Sequence, residues 1–237
     1  MTKERMAEIM KNPEMNEIMG FMMHNNLQQQ KNKTVNTYRK LNPYVKKGQI
    51  LFVGSSLMEW FPIGEMQMDL KLEHYIYNRG NAGANTADLL SAMEECIFEL
   101  EPLKTFINIG SNDIGAPDGY DKEKFLSNYN EIMTQIQKRL PKCLVYVMAF
   151  YPCNGKADFK LSKQQRDLMF ATRTNANILE ANDAVEKLAI EHGFQFINVN
   201  EGLSDEEGNL KEEFSIDGVH MWPNAYAVVL ENLKSFL

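Results

Sequence analysis

From residue 50 onward, short runs of consecutive apolar residues alternate with longer stretches in which apolar positions recur every third or fourth residue. This alternation predicts strands and helices in turn. Strands are expected over residues 50–53, 74–77, 105–109, 143–149 and 194–199. Most are apolar at successive positions, as parallel strands covered on both faces require. Between them, residues 86–100 place Leu89, Leu90, Met93, Ile97 and Leu100 at helical spacing, and residues 121–140 do the same with Phe125, Tyr129, Ile132, Ile136 and Leu140. A third helix is expected over residues 173–192, stopped by Gly193, and a fourth from Pro223 onward. The expected fold is α/β, a five-stranded parallel sheet inside a three-layer α/β/α sandwich.

The first 45 residues follow another pattern. Met15, Ile18, Met19 and Met22 fall on one helical face behind the start signal Asn12 and Pro13, which predicts one or two short helices. Residues 1–45 are therefore read as an N-terminal helical appendage and residues 46–237 as the main domain. The apolar stripe reads as a packing face. A dimerisation arm, which would make the protein a homodimer, and a lid over the site are the sharper alternatives.

Composition narrows the function. A formal net charge of −7 disfavours the electrostatic attraction on which nucleic acid or an anionic membrane surface depends, so neither is expected as a stable partner. The chain has no unbroken apolar stretch of signal-peptide or membrane-spanning character, and a cytoplasmic protein is expected. Cys96, Cys143 and Cys153 are an odd number with no C-x-x-C spacing, which indicates buried, reduced thiols rather than a disulfide framework or a zinc site. No phosphate-binding loop or dinucleotide fingerprint occurs, and the acidic stretch Asp205, Glu206, Glu207 lacks the alternating ligands of a calcium loop. No metal and no cofactor are expected.

Ligands of parallel α/β sheets bind beyond the carboxyl ends of the strands, so the residues just after each strand carry the chemistry. The first strand runs into Gly54, Ser55 and Ser56; the second is followed by Asn78, Arg79, Gly80, Asn81, Ala82 and Gly83; the third runs into Gly110, Ser111, Asn112 and Asp113. Each piece alone is compatible with a turn or a helix cap. Together they offer a hydroxyl nucleophile and donors for a developing anion. Of the four histidines, His24 lies in the N-terminal segment, His74 opens a strand and His192 sits at a helix end beside Gly193. Only His220 falls in a loop at the active edge. Asp217, three residues earlier across a turn containing Gly218, can reach back and fix its tautomer.

In this order the four blocks resemble those of the SGNH hydrolase superfamily, the GDSL lipases and acylhydrolases. The matching residues are Phe52 to Ser56, Asn78 to Gly83, Gly110 to Asp113 and Asp217 to His220. The spacing is also similar to the branch that contains the platelet-activating-factor acetylhydrolases. The resemblance implies a flavodoxin-like sheet with no cofactor, with Ser56 as the attacking nucleophile, His220 as its base and Asp217 as the triad acid. It also implies an oxyanion hole formed by the backbone N–H groups of Ser56 and Gly83 and the side chain of Asn112. Ser55 stands where the family usually has an aspartate, and is expected to turn back as a hydrogen-bonding residue. Ala84 and Asn85 replace a frequent Asp-Thr pair after the oxyanion glycine, which bears on the rigidity of that loop.

The expected function is a serine ester hydrolase cleaving small acyl, above all acetyl, esters through an acyl-enzyme on Ser56. The expected substrate is a small-molecule acyl ester, with acetylated sugars and lysophospholipid-like molecules as the candidates. Acyl transfer to a sugar or alcohol at the same site is the second enzymatic reading, and a non-catalytic anion-binding module is the third. Pocket shape is expected to depend on the loops around Trp60, Phe61, Ile114, Tyr151, Pro152 and Trp222, whose directions the sequence does not give; the residues that bind substrate are not identifiable from the sequence.

Overall fold

The computed structural model describes residues 12–237, with the side chains of Pro13 and Asn16 left aside. Helix α1 spans Pro13–Leu41, and β1 (Ile50–Gly54) leads into the short helix α2 (Ser56–Glu59). Strand β2 (Ile76–Gly80) is followed by α3 (Thr86–Ser91), and β3 (Lys104–Asn108) by α4 (Ser111–Ile114) and α5 (Lys122–Arg139). Strand β4 (Leu144–Met148), α6 (Asn175–Glu191), β5 (Gln195–Ile197) and α7 (Pro223–Leu233) complete the main elements. The five strands are all parallel in the order β2-β1-β3-β4-β5.

Two apolar layers sandwich the sheet because successive strand residues point to opposite faces. Leu51, Val53, Ile107, Val145 and Val147 pack under α3, α5 and α6, against Leu89, Phe125, Tyr129, Ile132 and Val185. Ile50, Phe52, Phe106, Tyr146 and Met148 pack on the other face against Leu57, Met58, Tyr226, Val229 and Leu233. This is the expected three-layer α/β/α arrangement. Asp121 caps α5 by accepting the Lys124 N–H, Thr174 caps α6 by accepting that of Asn177, and Gly193 closes α6 at φ +71°.

Four local expectations change. The second strand begins at Ile76 rather than residue 74, because Tyr75 N–H is taken by the Gln49 side chain while the Gln67 amide brackets Ile76 on both its N–H and C=O. It then runs on through Asn78, Arg79 and Gly80. The stretch 86–100 is three pieces, α3, Met93–Cys96 and a 3₁₀ turn Phe98–Leu100, broken where Ala92 and Ile97 leave helical geometry (φ −120° and −133°). The N-terminal segment forms one 29-residue helix, started as expected by the Asn12 side chain, which accepts the N–H groups of Glu14 and Met15. Met15, Ile18 and Met22 are exposed on it; its contacts with the domain include Leu27 against Gly83, the buried Lys31, Val35, Tyr38, Arg39 paired with Glu95, and Asn42 just beyond its end. Among the cysteines, Cys96 and Cys153 are buried thiols but Cys143 is only partly covered.

Candidate active site

The strands end together. Gly54 is in register with Gly80 on one side and Asn108 on the other, so the three segments that follow leave the sheet from one edge. Ser55 N–H donates to Asn108 C=O and Asn81 N–H to Gly54 C=O, which ties the exits of β1, β2 and β3 together. Gly80 permits a close approach: a Cβ there would lie 2.1 Å from the Glu59 nitrogen at the end of α2. Only glycine lets β2 pass so near that helix.

Ser56 is the first residue of α2 and 6% exposed. Its Oγ lies 3.0 Å from His220 Nε2. His220 Nδ1 is 2.7 Å from Asp217 Oδ2, and the other carboxylate oxygen, Oδ1, accepts the backbone N–H groups of Val219 (2.9 Å) and His220 (2.8 Å). The sequence-predicted hydroxyl, imidazole and carboxylate are thus one hydrogen-bonded chain. Such a chain fixes Nδ1–H toward the acid and leaves Nε2 to accept the serine proton. Burial raises the Asp217 carboxyl, but the bonds from His220 and from the two backbone N–H groups outweigh it and hold it below the usual carboxylate range.

The loop that carries Asp217 and His220 is closed on itself. Ile216 N–H donates to His220 C=O at 2.8 Å, Ser215 Oγ donates to the same carbonyl, and Gly218 N–H donates to Ser215 Oγ at 2.7 Å. Asn154 N–H meets Gly218 C=O at 2.7 Å, which anchors the turn to the segment after β4. Ser215 and Asn154 have no motif to mark them in the sequence.

The remaining predicted residues follow the ends of β1, β2 and β3 at the same edge of the sheet. The Ser56 N–H, first in a helix, has no intrahelical acceptor by position. Gly83 adopts φ +76°, and among the described residues its N–H meets no protein acceptor, whereas Ala82 N–H donates to Glu59 Oε2 and Ala84 N–H to Asn81 C=O. Asn112 donates through Nδ2 to Ala84 C=O at 2.9 Å, which spends one of its two amide hydrogens beside Gly83. The loop after β2 is firmly held despite Ala84 and Asn85: Asn85 and Asp88 form a capping box, Lys31 pairs with Asp88 at 2.7 Å, and Thr86 N–H donates to Asp113.

Other expectations divide. Trp60 lies on the imidazole of His220 with ring centroids 4.3 Å apart, and it is 46% exposed; Trp222, two residues after His220, is 49% exposed. The side chains of Phe61, Ile114 and Tyr151 are buried in the core. Ser55 Oγ is buried without a hydrogen-bond partner among the described residues, so its expected hydrogen-bonding role is not met. Clefts of about 560 and 600 Å³ open at the amino ends of the strands, where Glu101, Arg139 and Leu140 line both, and contain none of Ser56, His220 and Asp217. No described helix is long and apolar enough to cross a membrane.

Comparison with known proteins bears on the fold and the family. A protein from Streptococcus pneumonia, provisionally assigned as a platelet activating factor, superposes with a TM-score of 0.80 at 26% identity, over 93% of this chain and 98% of that one. A GDSL-like lipase from Bacteroides thetaiotaomicron superposes at 0.68 and 18% identity (85% and 96% covered), and an acetylxylan esterase from Geobacillus stearothermophilus at 0.61 and 14% (80% and 94%). In sequence, the chain is 26% identical over 228 residues to an N-acylneuraminate cytidylyltransferase of Escherichia coli O18:K1:H7, covering 90% of this chain and 48% of that protein. The chain therefore spans about half the length of that curated relative. Residues 63–228 match the GDSL-like Lipase/Acylhydrolase family, a match that starts just after Ser56. The chain belongs to the GDSL-like lipase/acylhydrolase family.

Proposed function

We propose that the protein removes small acyl groups, acetyl first among them, from O-acylated sugars, with Ser56 as nucleophile, His220 as base and Asp217 as the acid that orients it. The observation that carries the mechanism is the continuous relay from Ser56 Oγ through both nitrogens of His220 to Asp217. In the first half-reaction Nε2 takes the Ser56 proton as Oγ attacks the ester carbonyl. The oxyanion accepts from the N–H groups of Ser56 and Gly83 and from the second hydrogen of Asn112 Nδ2. His220 then protonates the leaving alcohol, and an acyl group remains on Ser56. Water, deprotonated by His220, releases the acid and restores the serine.

Two observations favour a small acyl group on a sugar. Trp60 offers a half-exposed aromatic face on His220, with Trp222, also half-exposed, two residues beyond His220 in the chain, the kind of surface on which a sugar ring packs, and the Escherichia coli relative is named for N-acylneuraminate, whose acyl group is on nitrogen. The decisive experiment is a chain-length series of p-nitrophenyl esters beside a panel of O-acetylated sugars, with fluorophosphonate labelling mapped by mass spectrometry. C2 to C4 esters should turn over fastest and the label should sit on Ser56. Faster turnover of C12 to C16 esters would reject the small-acyl reading, and an adduct elsewhere would reject the nucleophile.

A further inference from the structure

Arg173 lies just before α6, far in sequence from every motif, yet it is only 8% exposed. Its Nε and Nη2 donate to Ser111 C=O at 3.2 and 3.0 Å, Nη2 also to Asn112 Oδ1 at 3.2 Å, and Nη1 to Met169 C=O at 3.3 Å. Among the described residues, all of these bonds end on carbonyl-type oxygens and none on a carboxylate. The guanidinium lies flat against Gly115, where a Cβ would come within 2.3 Å of its Cζ. A buried cation is costly unless its hydrogens are all used, so a chain that keeps one here holds it for a definite contact.

That contact is the side-chain amide of Asn112. An asparagine amide can sit in two orientations related by a half turn, and only one of them aims N–H groups at an oxyanion. Arg173 has donors and no acceptor, so it selects Oδ1; Ala84 C=O has no donor, so it selects Nδ2. We infer that Arg173 is the positioning residue of the oxyanion hole, fixing the Asn112 amide from behind so that Nδ2 faces the reacting carbonyl. Its positive charge, on which the nearby Asp217 carboxylate acts without a direct bond, also polarises that amide in the direction that strengthens donation to an anion. The inference rests on the esterase reading and on Asn112 as an oxyanion donor. A donor held in place before the reaction needs no reorganisation when charge develops, so the effect falls on kcat rather than on substrate binding.

The test is a double-mutant cycle on p-nitrophenyl acetate with Arg173→Met, Asn112→Ala and their combination, each checked for native circular dichroism. Asn112→Ala should lower kcat by about 10²–10³-fold. Arg173→Met should lower it on the order of ten- to a hundredfold with KM changed less than about twofold. In the Asn112→Ala background the same substitution should cost less than about twofold, since its target is gone. Equal losses in both backgrounds, or a loss confined to KM, overturn the inference while leaving the esterase reading standing. Gly115→Ala, which displaces the guanidinium without removing it, should reproduce the kcat loss and serves if Arg173→Met does not fold. A readout independent of turnover is the Asn112 side-chain NH₂ pair in NMR, whose two proton signals should be well separated in the parent protein and draw together in Arg173→Met. An unchanged pair overturns the inference too; absence of any turnover or labelling by the parent protein would instead overturn the esterase reading.

Discussion

Trp60 covers one face of the His220 imidazole, with 4.3 Å between ring centroids and 33° between their planes. The contact covers one side of the imidazole, and under the proposed function the outer face of the indole would meet whatever the ester is attached to. Trp60→Ala should therefore cost about two- to tenfold in kcat/KM on p-nitrophenyl acetate, the worth of one aromatic pair, and more on an O-acetylated sugar. Steady-state kinetics on both substrates separate the two contributions. An equal loss on both would remove the sugar platform from the account.

The two adjacent serines should behave as opposites. Ser56→Ala removes the attacking oxygen and should leave only the residual rate that binding and oxyanion donors support, several orders of magnitude down. Ser55 Oγ is buried with no partner, so Ser55→Ala gives up no hydrogen bond and relieves an unsatisfied hydroxyl; its melting temperature should be unchanged or higher. Thermal melts and turnover of the two variants side by side provide the check. A large destabilisation by Ser55→Ala would mean that its hydroxyl has a partner not recognised in this arrangement.

Acid should weaken the loop that holds the base. The Asp217 carboxyl lies below its usual value in the folded protein, against about 3.9 in the unfolded chain. A depressed carboxyl contributes stability that is fully present above the unfolded value and is lost as pH falls through the folded one. Asp217→Asn lacks this contribution at every pH. Melting temperatures measured from pH 6 down to pH 2.5 should show the parent protein more stable at the upper end, with the gap closing below about pH 4. A constant gap across that range would contradict the assignment.

Gly80→Ala should be far more damaging than its size suggests. Its methyl would meet the backbone of Glu59 rather than a movable side chain, so β2 and α2 must separate, at a cost of about 1–3 kcal/mol or more. The same displacement moves Ser56, at the other end of that helix, so activity should fall further than the loss of folded protein explains. Comparing specific activity of the folded fraction with denaturant midpoints tests this.

Much of this site could be read from the chain because its main parts are local. Gly54 to Ser56 follow a strand of continuous apolar residues, and Asp217 and His220 share one short turn, so neighbours in sequence are neighbours in the site. The end of β2 was harder. Asn78, Arg79 and Gly80 read as a turn, yet they stay in the sheet because Asn78 donates to Met58 C=O and Arg79 reaches Asn42 beyond α1, supports that only the folded chain supplies. Likewise the break at Ala92 has no glycine or proline to announce it. Arg173 and Glu59 carry no motif, and their relevance lies wholly in what they touch: the amide of Asn112 and the N–H of Ala82. The expectation for Ser55 failed for the converse reason, since a hydroxyl's partner depends on what happens to face it.

Ser56 and His220 are 164 positions apart in the chain. Nothing local holds the hydroxyl to the imidazole; the contact exists only while the edge of the sheet and the distant loop are docked, with Asn154 as one of the fastenings. Catalysis is thus a gauge of long-range assembly. In a denaturant titration, turnover should vanish at or before the loss of helical signal, because undocking the loop silences the enzyme while its helices persist.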